Sequence, residues 1–246
     1  MAVTQLPTVQ DEIIDFLRCP GSHGHGIDRV DVIETHISQV FLVGDRAYKM
    51  KRAIVLPYLN YSSLPRRHQA CQDEIQINRS TAPQLYLGLV PVVRQSDGQL
   101  CLGGSGETLE WLIEMVRFDQ SGLFDQLASG RKIRRRTIED LADVIADFHA
   151  RAEPEFGGEC TVELRRIIET NDRSFRKFGG DYWDATKIDQ LRDVSLRALA
   201  VVADDLDKRA SAGKIRRCHG DLHLGNIVMW EGRPTLFDAI EFDPRL

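Results

Sequence analysis

The apolar pattern of this 246-residue chain changes its period near residue 116, and that change limits the fold to a mixed class. Before this point, short apolar runs alternate with Gly, Ser and Asp turns such as residues 96–98, which is typical of strands. After it, apolar residues recur at helical spacing, most clearly from Leu141 to Phe148. We therefore expect an α+β protein with a β-rich part followed by a helical part.

The β-rich part contains a candidate hairpin. Residues 40–43 and 46–51 read as strands, and Gly44-Asp45 reads as the turn between them. Side chains alternate in an extended segment, so Lys49 and Lys51 are expected on the same face. Further predictions are a helix from about Ser63 to Arg79 and strands at 88–93, 99–102 and 108–116.

Three helices are predicted in the second part, and one is predicted before the strands. Thr137 and Asp140 have the spacing of a capping box, which predicts a helix start. The others are expected at about 162–171, at about 188–210 and within the first 27 residues, where a Gly/His loop follows. We divide the chain into a lead-in segment (1–30), a β-rich lobe (31–116) and a helical lobe (117–246).

Composition excludes several classes of protein. The net charge of −5 and the isoelectric point near 5.8 do not favour a nucleic-acid binder. The five cysteines form no C-x-x-C pair, which argues against a disulfide framework and a thiolate zinc site. Residues 1–17 carry acids where a signal peptide has basic and apolar residues, and no run is long enough to span a membrane. We expect a cytoplasmic protein that binds neither nucleic acid nor membrane.

The string of residues 218–227, CHGDLHLGNI, contains the chemistry-bearing side chains. Asp221 precedes Asn226 by five residues, and Asp238 follows Asn226 by twelve. Phosphoryl transfer needs a carboxylate that accepts the proton of an attacking hydroxyl and oxygen ligands that place Mg²⁺ on phosphates. Asp221 suits the first role, and Asn226 and Asp238 suit the second.

These residues also carry a family resemblance. HGDLHLGN resembles the catalytic loop H-G-D-x-H-x-x-N of aminoglycoside phosphotransferases, and LFDAIEF resembles their metal-binding element. With ETHISQVFLVGDRAYKMKR and LYLGLVPV, residues from about 30 to 244 resemble bacterial phosphotransferase-domain proteins that are often fused to a P-loop ATPase domain. The resemblance implies a two-lobed, protein-kinase-like fold whose C-terminal lobe is incomplete here.

The resemblance implies a kinase that uses ATP and Mg²⁺ to phosphorylate a hydroxyl of a small molecule. Its partners would be that acceptor and a fused or associated P-loop ATPase domain. The phosphate-binding lysine is Lys51 in a Y-x-x-K reading and Lys49 in an A-x-K reading, with a slight preference for Lys51. The other implied roles are Asp221 as base, Asn226 and Asp238 as Mg²⁺ ligands, Glu74 as the lysine's partner, His219 as loop organiser, Ser38 in the phosphate-covering loop, and Glu114, Met115 and Val116 as the adenine-binding hinge.

Two other functions fit parts of the sequence. A nucleotide-binding regulatory module without transfer activity fits the incomplete C-terminal lobe. A metal-dependent hydrolase could use His219, Asp221 and His223 together with His23 and His25 as ligands. The hydrolase hypothesis leaves the spacing of Asn226 and Asp238 unexplained.

Overall fold

The computed structural model describes residues 9–155, 160–179 and 182–242, and the chain divides into two units. One unit comprises residues 149–218, and the other comprises the described residues on either side of it. Every candidate site residue named above belongs to the second unit, so the site can be described within that unit.

The structure has both the predicted strands and the predicted helices. The strands are β1 Val30–Glu34, β2 Ser38–Val43, β3 Arg46–Lys51, β4 Val55–Leu56, β5 Leu59–Asn60, β6 Tyr86–Arg94, β7 Leu100–Leu102, β8 Glu107–Val116, β9 Pro154–Glu155, β10 Ile215–Arg216, β11 Ile227–Trp230 and β12 Arg233–Leu236. The helices are α1 Val9–Arg18, α2 Leu64–Asn78, α3 Phe124–Ser129, α4 Arg135–Arg151, α5 Cys160–Phe178 and α6 Ala185–Ser211.

Six of the strands form one antiparallel sheet in the order β1-β2-β3-β8-β6-β7. The predicted hairpin is confirmed, with Ser38 of β2 opposite Lys51 of β3. Gly44 has a φ of 53°, a left-handed conformation that favours glycine in so tight a turn. On its other side β3 pairs with β8, where Lys49 lies opposite Ile113. Strand β3 is therefore an interior strand that is hydrogen-bonded on both sides.

Helices α1 and α2 cover opposite faces of this sheet. Leu17 of α1 is fully buried in a cluster with Met50 of β3. Ile75 of α2 packs in a separate cluster with Ala47 of the same strand. Because neighbouring strand residues point to opposite faces, Lys49 and Lys51 share the α2 face with Ala47. The predicted lead-in helix is thus part of the packing of the sheet.

The starts of α2 and α4 are not capped by the Ser and Thr side chains near them. Ser63 precedes α2 with extended backbone, but its side chain makes no capping hydrogen bond. Pro65 lies in the first turn, where the missing N–H has no helical partner to lose. Helix α4 begins at Arg135, so Thr137 lies inside the first turn and the predicted cap is wrong. Residues 134–136 are polar and compatible with helix, which allows the earlier start.

The hairpin β11–β12 places the two chemistry-bearing segments side by side. Ile227 of β11 lies opposite Leu236 of β12 in antiparallel register. The chain before residue 227 and the chain after residue 236 therefore emerge at the same end of the hairpin. Both residues pack against Phe124 of α3 and Leu141 of α4, which fixes the hairpin on a helical base.

Residues 149–218 form the other unit. In its described residues, α5 and α6 pack together and β9 pairs with β10, with Ile215 opposite Glu155. The carboxylate of Asp184 caps α6 by accepting a 2.7 Å hydrogen bond from the Thr186 N–H. This cap gives α6 a defined start.

None of the helices among the described residues has both the length and the apolar character that crossing a bilayer requires.

All five cysteines are free thiols, and Cys71 is fully buried beneath the sheet. Burial raises the pKa of the Cys71 thiol to about 12, so this thiol stays protonated at neutral pH.

The packing of α1 predicts a stability effect. Leu17→Ala removes a fully buried side chain and is expected to lower the free energy of unfolding by about 2–5 kcal/mol in urea titration. Val9→Ala, on the same helix but half exposed, should change it by less than about 0.5 kcal/mol. Equal effects of the two substitutions would show that α1 does not depend on its contact with the sheet.

Candidate active site

The carboxylate of Glu74 lies between the two lysines of β3. Its Oε1 atom is 2.8 Å from Lys49 Nζ, and its Oε2 atom is 2.6 Å from Lys51 Nζ. Glu74 is fully buried on α2, directly beneath the strand. The predicted common face of the two lysines is confirmed, because one carboxylate reaches both ammonium groups.

All three groups are charged at neutral pH. Burial alone raises the pKa of the Glu74 carboxyl, but the ammonium groups of Lys49 and Lys51 outweigh burial and lower it to about 2. Burial likewise lowers the pKa of each lysine, and the neighbouring carboxylates bring it well above the ordinary value. A buried ion triad of this kind has a fixed geometry, because each charge is stable only while its partners stay in place.

The two lysines differ in their second partner. Lys49 Nζ lies 2.5 Å from Asp238 Oδ1, and the Asp238 side chain is 41% exposed. Lys51 Nζ instead contacts Glu241 Oε1, and Lys51 itself is 1% exposed. Lys49 therefore faces the more open side of the cluster, and Lys51 is enclosed by protein.

Asp238 lies in a segment whose backbone is held at four consecutive N–H groups. Asp238 has a φ of 62°, an uncommon left-handed conformation for a residue other than glycine, although Asp tolerates it better than most. Such conformations persist where the surroundings determine them. The acceptors are Asn226 O for Phe237 at 3.0 Å, Tyr86 Oη for Asp238 at 3.2 Å, Asn78 Oδ1 for Ala239 at 2.9 Å and His219 O for Ile240 at 2.9 Å.

The loop of residues 219–226 presents Asp221 beside this segment. Gly220 has a φ of 80°, and a Cβ atom there would lie 3.2 Å from Ile240, so glycine suits both the turn and the close packing. Asn226 Nδ2 donates to the Asp221 carbonyl at 2.9 Å and lies 3.3 Å from Asp221 Oδ2. The Asp221 side chain is 55% exposed, with His223 Nε2 3.7 Å from its carboxylate.

His219 connects the loop to the Asp238 segment. Its Nε2 lies 2.8 Å from the carbonyl of Phe237, which can only accept, so Nε2 carries the proton. Burial lowers the pKa of His219, which favours the neutral ring. In that tautomer Nδ1 can accept from the Asp221 N–H at 3.4 Å. One neutral imidazole thus links the backbones of both segments.

The predicted phosphate-covering loop is the turn between β1 and β2. Thr35 closes it, since Thr35 Oγ1 accepts from the Ser38 N–H at 2.9 Å and from the Ile37 N–H at 3.3 Å. Ser38 is 1% exposed, and its Oγ has no hydrogen-bond partner among the described residues. A buried hydroxyl without a partner next to Lys51 is the kind of group that a ligand oxygen could satisfy.

The predicted hinge lies inside the sheet. Glu114 and Met115 pair with β3 on one side and with β6 on the other, and the Val116 N–H donates to the Leu85 carbonyl. Their backbone is thus engaged by neighbouring strands, and the adenine-binding role of these residues stays a prediction. The first backbone beyond the strand is at 117–120, which lines a cleft of about 440 Å³ together with Gly44.

Comparison with known proteins agrees with this arrangement. The sequence pattern of the phosphotransferase enzyme family, of the aminoglycoside phosphotransferase type, matches residues 35–238. The chain belongs to that family. The match runs from the β1–β2 turn to Asp238, so it covers five of the six strands of the sheet, the Glu74–lysine cluster and the loop of residues 219–226.

Two similar relatives are mycobacterial. The phosphotransferase is 28% identical over 226 residues to the uncharacterized protein Rv2004c of Mycobacterium tuberculosis and to the uncharacterized protein Mb2027c of Mycobacterium bovis. Each alignment covers 88% of this chain and 42% of the relative. The chain therefore spans less than half the length of these relatives.

Sequence reasoning missed four residues of the phosphotransferase site: Tyr61, Asn78, Tyr86 and Glu241. Asn78 could have been found, since it lies one helical turn after Glu74 and therefore on the same face of α2. Glu241 is part of the recognised LFDAIEF string. The two tyrosines gave no signal, because Tyr86 and Asp238 are 152 positions apart in sequence.

Two of the four histidines of the hydrolase hypothesis, His23 and His219, are engaged elsewhere. His23 stacks on Tyr48 with ring centroids 5.7 Å apart, and its Nε2 is 2.7 Å from the Leu17 carbonyl. His219 uses both ring nitrogens on backbone groups. Within the part of the chain that the structure describes, no three His, Cys, Asp or Glu side chains are grouped as metal ligands.

The charge triad predicts sensitivity to acid. Because the folded-state pKa of Glu74 is about 2 and its ordinary value is 4.5, its stabilisation is complete above pH 4.5 and is lost as the pH falls towards 2. Acid unfolding of the wild type should therefore be steep in this window. Glu74→Gln should weaken the dependence of the free energy of unfolding on pH in this window. It should also lower the free energy of unfolding at pH 7 by about 3–5 kcal/mol, because the buried ammonium groups lose a compensating charge. If the free energy of unfolding falls equally with pH in the wild type and in Glu74→Gln, Glu74 is not ionised in the folded protein.

Proposed function

We propose that this chain is an ATP- and Mg²⁺-dependent phosphotransferase that moves the γ-phosphate to a hydroxyl of a small molecule. The observation that supports it is the Lys49 ammonium, which joins Glu74 of the sheet-bound helix to Asp238 beside the catalytic loop. Membership of the phosphotransferase family supports the reaction class. The nucleotide, the metal and the acceptor are part of the proposal.

Lys49 is the better candidate for the phosphate contact. It keeps Glu74 as a fixed partner at 2.8 Å, so its second interaction can change from Asp238 to a phosphate oxygen. Lys51 is enclosed between two buried carboxylates. The geometry thus favours the A-x-K reading of β3 over the Y-x-x-K reading.

Asn226 and Asp238 are proposed as the Mg²⁺ ligands. The donors fit this ion, since Mg²⁺ prefers oxygen ligands and the Asn226 nitrogen is used by Asp221, which leaves its amide oxygen for the metal. The charges fit as well, because Lys49 and Lys51 face three carboxylates, those of Glu74, Asp238 and Glu241. When bound, the ion would offset phosphate charge.

Asp221 is proposed as the base. Its exposed carboxylate can accept a hydrogen bond from an acceptor hydroxyl, and Asn226 fixes its backbone. The acceptor oxygen attacks the γ-phosphorus, and the bond to the β,γ-bridging oxygen breaks with its electrons leaving on ADP. The hydroxyl proton passes to Asp221. The chain contributes chiefly position and charge to this step.

The adenine is proposed to lie in the cleft lined by residues 117–120. Gly44, at the same cleft, lies in the turn before β3 and five residues before Lys49, a separation of at most about 17 Å along the chain. An extended nucleoside triphosphate can bridge a distance of this order. Ser38 then lies at the phosphate end, where its Oγ, which no described residue bonds, supports a role in the phosphate-covering loop.

The association with a P-loop ATPase domain also stays a proposal. The mycobacterial relatives are more than twice as long as the region they share with this chain, which leaves room for another domain. The names of these relatives state no activity, so the proposed association with a P-loop ATPase domain depends on the family resemblance alone.

The assignment of Asp221 can be tested by steady-state ATP turnover over a panel of alcohol acceptors. Asp221→Ala should lower kcat by about 10²- to 10⁴-fold, the usual cost of losing a general base. Asp97→Ala, which removes an exposed carboxylate from the β6–β7 turn, should leave kcat unchanged. Equal turnover by Asp221→Ala and wild type would exclude Asp221 as base. MgATP binding without transfer to any acceptor would instead favour the regulatory module.

A further inference from the structure

Glu241 has two buried partners that the reaction scheme does not use. Its Oε1 accepts a 2.5 Å hydrogen bond from the Tyr61 hydroxyl and contacts Lys51 Nζ. The Glu241 side chain is 6% exposed, and Lys51 also lies over the Tyr61 ring at 5.1 Å from its centroid. A carboxylate enclosed in this way is held in place by charge and by packing.

These contacts fix the far end of the Asp238 segment. At its near end the Phe237 carbonyl is held by His219 Nε2 at 2.8 Å. At its far end Glu241 is tied through Lys51 to Glu74 Oε2, which is 2.6 Å from the lysine. Asp238 lies between these anchors in its left-handed conformation. Its position therefore depends on both ends.

We propose that Glu241 is a positioning residue that, held by Lys51 and Tyr61, sets the place of the Asp238 carboxylate for a divalent cation. This inference rests on the proposed function and gives the two lysines different roles. Lys49 exchanges Asp238 for phosphate, whereas Lys51 keeps Glu241 throughout. Glu241 acts here through Oε1, which Lys51 and Tyr61 hold and which is therefore not open to a metal ion.

The ion pairs of the cluster depend on one another. Without the Glu241 carboxylate, the buried Lys51 ammonium would have Glu74 as its only remaining ion-pair partner in the cluster. Glu74 would then be drawn towards Lys51, and the anchor of residue 241 would be lost. Asp238 would then be free to leave its left-handed conformation, which the surroundings no longer impose. Loss of a partner that orients a metal ligand typically lowers metal affinity 10- to 100-fold.

The test measures the Mg²⁺ concentration that gives half-maximal ATP binding, by calorimetry and by thermal shift at fixed ATP. Glu241→Ala should raise this concentration by about 10- to 100-fold, and saturating Mg²⁺ should restore most of the ATP affinity. Glu241→Gln keeps an acceptor for Tyr61 and should lie between Glu241→Ala and the wild type. A merely structural role would lower the unfolding temperature without this dependence on Mg²⁺.

Leu17→Ala is the stability control. Leu17 is fully buried in a cluster with Met50, so this substitution also lowers stability. Its side chain packs on the α1 face of the sheet and the two lysines lie on the α2 face, so the substitution should leave the Mg²⁺ dependence at the wild-type value.

The possible outcomes separate the two proposals. A folded wild type without Mg²⁺-dependent ATP binding would overturn the proposed function, and the role of Glu241 with it. If the wild type binds MgATP and Glu241→Ala has the same Mg²⁺ dependence as the wild type and Leu17→Ala, the positioning role alone would be overturned. A selective rise in the Mg²⁺ requirement of Glu241→Ala, graded through Glu241→Gln, would support it.

Discussion

The buried carboxylate of Glu74 is the interaction on which the rest of the site depends. A carboxylate at this depth needs compensating charge, and β3 supplies two ammonium groups from positions 49 and 51. Those two groups need further carboxylates, which come from Asp238 and Glu241. The cluster thereby binds the sheet and α2 to a segment that is 189 positions beyond Lys49. Fold and site are joined by the same charges.

The segment around Asp238 illustrates how a functional position is held before any ligand binds. Its four consecutive N–H groups are bonded to acceptors from different parts of the unit, so its uncommon backbone conformation is imposed from outside. Preorganisation of this kind would remove the cost of arranging the proposed ligands when the proposed metal ion binds. The exposed Asp221 and the partly exposed Asp238 face the open side, whereas Glu74, Lys51 and Glu241 form the enclosed support.

Much of this was predictable from the sequence, because the determining signals are local. The Gly44 turn and alternation gave the β2–β3 hairpin, and periodicity gave α4. The string from His219 to Asn226 indicated the loop that lies beside the Asp238 segment. The pairing of Glu114 and Met115 with both β3 and β6 was not visible in the sequence, because it depends on strands that are distant along the chain. The choice between Lys49 and Lys51 needed the positions of Asp238 and Glu241, which are long-range contacts that no local pattern encodes.

The most direct measurement is a crystal structure of the chain with ADP and Mg²⁺. The account predicts a metal ion at about 2.0–2.1 Å from the Asn226 amide oxygen and an Asp238 carboxylate oxygen. Lys49 Nζ should have moved from Asp238 to a phosphate oxygen, with Glu74 still bound to both lysines. A nucleotide bound elsewhere, or a structure in which Lys49 stays on Asp238 with ADP and metal present, would contradict the account.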